Sequence, residues 1–342
     1  MSARRDIRCP ALADYKEYTM AGRYTQPIPF GWYALAYSRD LQPGDVKPLK
    51  YFGRDLVMFR TESGAPKVLN AFCPHLGAHL GHGGLVHGEN IACPFHGWQF
   101  DGDGYCQDVP YATNMPPKVK DRQTIASYPV LERNAMIWAW YHPDNIAPTF
   151  DVEEIAEIGA EDYTDIDVYD WEINTIVQET GENGADVAHF MYVHSAQEMP
   201  VGEVSMDGIK RHTRIKNKVP RINDTGEFDE GGDWEFIHVD STNVGPGQTI
   251  QRISRAFEVV MMGTITPIDD QNVHLRFTFT MPNSQTDMNK VLADATRDNV
   301  VGGVEQDIPI WQNKSYVEDP ILCDGDGPIA KYRKWFRQFY AG

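Results

Sequence analysis

From Gly31 to Pro148 short apolar runs alternate with Gly, Pro and Asp turns, as in Leu56-Val57-Met58-Phe59 and Ala135-Met136-Ile137-Trp138-Ala139-Trp140. Runs of this length between turn residues predict a small antiparallel β-domain. Asp101-Gly102-Asp103-Gly104 could suggest a calcium loop, but oxygen ligands at later positions are missing, so a hairpin turn is expected. Residues 1–27 read as an irregular leader rich in Tyr and Pro. The stretch Ile146-Ala147-Pro148-Thr149-Phe150 then marks a boundary.

Beyond it the pattern changes. A helical segment is expected from about Asn174 to Val193. Long strands follow, clearest over Val273–Met281, where apolar residues fall on one face at period two. His274 falls on the opposite, polar face and is expected at the surface. A second helix is expected from about Thr286 to Tyr316, with Pro309 disrupting it locally. Near the end Tyr332, Trp335, Phe336 and Phe339 recur at helical spacing, the stripe of an amphipathic helix docked on the core. The chain thus reads as α+β in two domains, 28–148 and 149–342, after the leader.

Composition narrows the function classes. Against 49 acidic residues stand 31 basic ones, a net charge of −18, which disfavours non-specific nucleic-acid binding. No segment has the apolar length to span a bilayer, and the amino terminus lacks the apolar stretch of a signal peptide. Five cysteines are few and odd in number, which fits a reducing cytoplasm better than a disulfide scaffold. Cys9, Cys106 and Cys323 have no obvious pairing, and Cys106 is expected as a buried structural thiol.

The other two cysteines carry chemistry. Cys73-Pro74-His75-Leu76-Gly77 and Cys93-Pro94-Phe95-His96-Gly97-Trp98 are two short loops, each with one thiolate and one imidazole. The pattern resembles the Rieske [2Fe–2S] signature, in which one iron takes both cysteines and the other both histidines. Zinc also takes Cys₂His₂ sets, but normally from paired Cys-x₂₋₄-Cys and His-x₃₋₅-His spacings, so it stands behind. His79, His82 and His87 are expected as polar loop residues beside a full cluster.

A second constellation lies in Glu182-Asn183-Gly184-Ala185-Asp186-Val187-Ala188-His189, followed by His194. Asp186 and His189 share a helix face, whereas His189 and His194 sit about 140° apart on a regular helix. Only a bulge or a helix end between them would bring both imidazoles to one metal. A carboxylate would complete a facial triad for non-haem Fe(II), and Glu305, Asp307, Glu318 and Asp319 are the candidates.

Together the two constellations resemble the oxygenase component of Rieske non-haem iron oxygenases from about residue 28 to the end. The family's Asp-x₂-His-x₄-His pattern falls on Asp186, His189 and His194, and its later Asp falls on Asp307. Within the family the chain looks most like the 3-ketosteroid 9α-hydroxylase oxygenases, through Asp186–His194, the segment Gln306-Asp307-Ile308-Pro309-Ile310-Trp311-Gln312-Asn313-Lys314 and the aromatic-basic tail. Leu76 departs from the Arg or Met usual after the first cluster histidine.

The resemblance implies a helix-grip-like catalytic domain, one [2Fe–2S] cluster on Cys73, His75, Cys93 and His96, and one Fe(II) on His189, His194 and Asp307. It also implies a head-to-tail homotrimer in which Asp186 links His189 to His96 of the next chain. The implied reaction is O2-dependent hydroxylation of a hydrophobic, steroid-like polycycle. Hydroxylation, desaturation or demethylation of an aromatic or other small hydrophobe is the alternative, and a bare Rieske electron carrier would need only the first domain. No flavin or nicotinamide motif is visible, so electrons must come from a separate NAD(P)H-dependent reductase, with or without a ferredoxin. The basic runs Lys118–Arg122 and Lys331–Lys334 could dock an acidic donor, but an ordinary solvated face is the preferred reading.

Overall fold

The computed structural model describes residues 22–196, 198–220, 234–255 and 257–342. Most of the leader, with Cys9, lies outside the described residues. Among the described residues, no helix is long and apolar enough to cross a membrane.

The first half is built from β1 (Gly31–Tyr37), β2 (Val46–Tyr51), β3 (Arg54–Arg60), β4 (Pro66–Asn70), β5 (Leu85–His87), β6 (Asn90–Ala92), β7 (Gln99–Phe100), β8 (Cys106–Asp108), β9 (Ser127–Tyr128), β10 (Val130–Arg133) and β11 (Met136–Tyr141). They form three small antiparallel sheets ordered β1-β11-β10, β2-β3-β4-β9 and β5-β6-β7-β8. The Asp101–Gly104 turn joins β7 to β8 as the expected hairpin, with Gly104 at φ +83° and its N–H bonded to Asp101 O at 3.1 Å.

The second half opens with β12 (Asp167–Ile173), α1 (Val177–Asn183) and α2 (His189–Tyr192). Five strands follow: β13 (Val201–Asp207), β14 (Lys210–Pro220), β15 (Trp234–Val244), β16 (Gln248–Ser254) and β17 (Glu258–Pro267). The chain then runs through β18 (Val273–Thr280), α3 (Asp287–Asn313) and α4 (Ile329–Phe336). The strands make one antiparallel sheet, β12-β18-β17-β16-β15-β14-β13.

Around β18 that sheet is covered on both faces, which corrects the expectation for His274. Phe277 and Phe279 pack towards Leu292, Val300 and Val301 of α3, as period-two reading requires. The other face meets the first half of the chain rather than water. There His274 is half-buried, with Nδ1 2.8 Å from Tyr51 OH and Nε2 3.0 Å from Asp170 Oδ1. Arg276 bonds the carbonyls of Ala34 and Leu35 at 2.9 and 3.1 Å, next to the register shift in β1. A bulge leaves carbonyls outside the ladder, and a buried carbonyl needs a partner. A period-two pattern identifies a polar face but cannot tell water from a second polar layer.

The helices also refine the reading. The segment expected as one helix from Asn174 to Val193 is two, broken after Asn183. α3 starts at a Thr286 cap, whose hydroxyl accepts from Asn289 N, and runs through Pro309 to Asn313. Pro309 and Glu305, whose carbonyl loses its bond, are both exposed, so the break in the ladder falls on the solvated side. α4 and the single 3₁₀ turn after it, Arg337–Phe339, bury Tyr332, Trp335, Phe336 and Phe339 as expected. Their core is shared with Tyr33, Leu56 and Met58 of the first half and with Ile265 and Leu275 of the large sheet. Arg333, part of a run considered for docking, is buried in a two-pronged bond to Glu182 at 2.6 and 2.8 Å, whereas Lys331 and Lys334 are exposed.

Candidate metal centres

The two cysteine loops are near copies of each other. Cys73 N bonds Ala78 O at 2.8 Å and Gly77 N bonds Cys73 O at 2.9 Å. Cys93 N likewise bonds Trp98 O at 2.8 Å, and Gly97 N bonds Cys93 O at 2.9 Å. Each loop closes on a glycine with positive φ, Gly77 at +76° and Gly97 at +73°. A side chain there would carry strain, which explains the shared Cys-Pro-x-x-Gly spelling. Both cysteines are buried, and both histidines are half-buried at the rim.

The rings of His75 and His96 lie 4.8 Å apart, and His75 stacks on Trp98 at 4.5 Å. Trp98 is held in turn by a 2.8 Å bond from its indole N–H to Tyr111 OH. Burial pushes the Cys73 thiol up to about 12, with Cys93 beside it adding to the rise. His96 Nδ1 is buried without a hydrogen-bond partner among the described residues. A buried ring nitrogen with nothing to bond is costly unless an ion takes its lone pair. Two inner sulfurs and two rim imidazoles fit a cluster with one thiolate-bound and one imidazole-bound iron. Leu76 is 64% exposed beside this rim, with Phe72, Phe95 and Tyr111 also open to solvent. His79 and His82 lie next to each other, ring centroids 4.5 Å apart, outside the pair of loops.

The second constellation converges as well. α2 is a single turn that ends at Tyr192, so His194 lies beyond the helix and is not bound to its 100° step. That helix end brings the His189 and His194 rings to 5.0 Å. Asp307 sits on the buried face of α3 with Val304 and Trp311, three residues before and four after it. Donor atoms of His189, His194 and Asp307 all lie within 4.8 Å of one another. Glu305, Glu318 and Asp319 are exposed and do not join them.

Hydrogen bonds set the ring tautomers. His189 Nδ1 lies 2.6 Å from the Asp186 carbonyl and His194 Nδ1 lies 2.9 Å from Gln306 Oε1. Each acceptor requires a proton on Nδ1, which leaves both Nε2 lone pairs for an ion. His194 Nε2 is 3.4 Å from Asp307 Oδ1. Burial pushes the Asp307 carboxyl up, while the two imidazoles and a bond from Asn183 pull it back. Two imidazole lone pairs and one buried carboxylate fit a divalent iron with open positions.

Asp186 lies at the start of this site. Its Oδ1 accepts from Ala188 N at 3.0 Å and His189 N at 3.2 Å, so the carboxylate caps α2. Sequence reading missed Asn183, whose Nδ2 is 2.8 Å from Asp307 Oδ2 and 3.2 Å from His189 Nε2. Its three-residue spacing from Asp186, repeated from Asp186 to His189, was the available signal. A cavity of about 80 Å³ adjoins the triad, lined by His189, Asp307, Asn183, Glu179 and Lys314 among others. That is well below the roughly 300 Å³ of small-molecule pockets, so a polycycle does not fit within it.

Comparison with known proteins agrees with both centres. Residues 31–129 match the Rieske [2Fe-2S] domain family, and residues 139–340 match the 3-ketosteroid 9alpha-hydroxylase C-terminal domain family. A probable 3-ketosteroid-9-alpha-monooxygenase, oxygenase component, of Rhodococcus rhodochrous is 31% identical over 328 residues, 91% of this chain and 79% of its own length. A cholesterol 7-desaturase of Xenopus laevis is 32% identical over 344 residues, 94% of this chain and 74% of its own. Among solved structures, apo dicamba monooxygenase superposes with a TM-score of 0.69 at 19% identity, over 92% of this chain and 98% of that one. Pseudomonas putida CBB5 NdmA with caffeine gives 0.70 at 20% identity, over 90% and 89%. An oxygenase component implies a separate reductase and O2 as co-substrate. The chain therefore belongs to the Rieske non-haem iron oxygenases, in the group that carries the 3-ketosteroid 9α-hydroxylase C-terminal domain, and takes that family's [2Fe–2S] cluster and mononuclear iron.

Proposed function

We propose that this chain is the terminal oxygenase for a hydrophobic, steroid-like polycycle, with residues 28–148 as the electron-receiving domain and 149–342 as the catalytic domain. The observation that carries the reading is the convergence of His189, His194 and Asp307 in a chain whose relatives are named for steroids. Cys73, Cys93, His75 and His96 would hold the cluster, and His189, His194 and Asp307 the iron. When bound, these groups supply one-electron relay and O2 activation, the chemistry that side chains alone lack.

The protein's own part is positioning. Asp186 O and Gln306 Oε1 fix the two imidazoles, and Asn183 holds the carboxylate. Exposed apolar groups lie both at the cluster rim, as Leu76 and Phe95, and near the iron motif, as Tyr192 and Ile310. Large exposed apolar groups in two places suit a head-to-tail trimer, with Asp186 bridging to His96 of the next chain. An NAD(P)H-dependent reductase, acting directly or through a ferredoxin, would supply electrons in the cytoplasm.

Desaturation is a second reading, favoured by the cholesterol 7-desaturases among the relatives. Anaerobic reduction of iron-loaded protein, mixing with a panel of steroids and aromatics, and exposure to O2 separates these readings without any reductase. A steroid heavier by one oxygen supports hydroxylation. A steroid lighter by two hydrogens supports desaturation, and product from aromatics alone overturns the steroid assignment.

A further inference from the structure

The cavity beside the triad contains a charged pair that iron binding does not use. Glu179 of α1 is 1% exposed at its side chain and forms an ion pair through Oε2 with Lys314, just after α3. Its other oxygen, Oε1, is buried without a hydrogen-bond partner among the described residues. Lys314 is 37% exposed, so it reaches from solvent to the buried carboxylate. Both residues line the same cavity of about 80 Å³ as His189 and Asp307. At roughly 30 Å³ per water, that space takes about two or three waters.

We propose that Glu179 and Lys314 form a proton relay that serves the iron site through this cavity. The inference rests on the reading of His189, His194 and Asp307 as iron ligands. Hydroxylation takes substrate, O2, two electrons and two protons to alcohol and water, with one oxygen atom entering a C–H bond. The electrons come from the external reductase through the cluster, and the protons must reach the iron site from solvent. Glu179 passes a proton into the water of the cavity and is reprotonated from the solvent that reaches Lys314. Lys314 positions the carboxylate and balances its charge once the proton has left.

The surroundings suit a carboxyl that changes state. Burial pushes Glu179 up and Glu182 adds to the rise, while Lys314 and Arg333 of α4 oppose it. Burial works against the Lys314 ammonium, yet Glu179 and Glu182 hold it above the ordinary lysine range. Tyr24, Tyr332 and Tyr340 are the further titratable groups around Glu179.

The test is Glu179→Gln in the cluster-containing, iron-loaded protein, which keeps the shape and removes the proton. Product formation in a single turnover should slow by about 10²-fold, the low end of general acid–base effects. Iron content and cluster reduction should be unchanged, the solvent isotope effect in D2O should grow, and Glu179→Asp should restore most of the rate. Infrared difference spectra of the iron-free chain should show a titrating carboxylic acid band missing from the Gln variant. If Glu179→Gln fails to fold, Lys314→Met should move that band's midpoint, and the pH profile of product formation, upward. A wild-type rate and isotope effect in Glu179→Gln, iron lost in step with activity, or an unmoved profile in Lys314→Met overturns the relay. Wild-type protein that binds no iron beyond its cluster, by contrast, would overturn the iron assignment itself.

Discussion

Asn183 Nδ2 stands 2.8 Å from Asp307 Oδ2, a bond from the last residue of α1 to the buried face of α3. The same amide nitrogen is 3.2 Å from His189 Nε2, a contact that iron on that lone pair would displace, so Asn183 orients the carboxylate in the loaded site. Asn183→Ala should weaken Fe(II) binding by about 10–100-fold, the usual cost of losing a partner that orients a ligand. Competition titration of apo-site protein with a ferrous chelator measures this. Unchanged affinity would mean that the triad is held without Asn183.

Asp186→Asn isolates charge from structure. Asparagine caps a helix as well as aspartate does, so the bonds to Ala188 N and His189 N survive. Both metals should stay bound while product formation falls by about 10–100-fold. Pre-reduced protein followed by rapid quench reads the rate, and metal analysis reads the loading. Wild-type turnover would leave Asp186 as a cap alone.

Arg23 ties the leader to the end of the helix that carries Asp307. Its guanidinium bonds the carbonyls of Gln312 and Lys314 at 2.5 and 2.8 Å and that of Asn174 at 3.2 Å. Arg23→Ala leaves carbonyls at the end of α3 without this partner and should cost about 2–3 kcal/mol. Thermal unfolding should shift down accordingly, and amide exchange near Lys314 should speed up. An unchanged Tm would show that the strap adds nothing.

Asp170 joins the two halves of the chain and should show itself in acid. Burial alone would raise its pKa, but the His274 bond and the Arg276 charge more than offset this and hold it below the ordinary 3.8. A depressed carboxylate stabilises the fold above its unfolded value, and that stability is lost as pH falls through the folded value. Wild type should therefore lose stability below about pH 4 more steeply than Asp170→Asn. Denaturant melts at stepped pH compare the two, and parallel curves would contradict the assignment.

Much of this site is readable from local sequence because each centre is local. The two Cys-Pro-x-x-Gly spellings specify one loop geometry twice, and the Asp186–His189–His194 spacing needs only a helix that stops early. Asp307 is harder, since it belongs to the buried stripe of α3 and reaches the histidines only through tertiary packing. Gln306 and the Glu179–Lys314 pair were illegible for the same reason, and Asn183 was marked only by its spacing from Asp186. Their partners lie more than 100 residues away for each of them except the Asn183–His189 contact. His274 failed differently: strand alternation marks it polar, but the layer that covers it comes from β1 and β2.

The most direct test of the account is the nitric oxide signal of ferrous iron in Asp307→Ala, read by electron paramagnetic resonance beside the reduced-cluster signal. Wild type should show both signals, and the variant should keep the cluster signal while the nitric oxide signal disappears. A nitric oxide signal of wild-type intensity in the variant would contradict an iron site built on His189, His194 and Asp307.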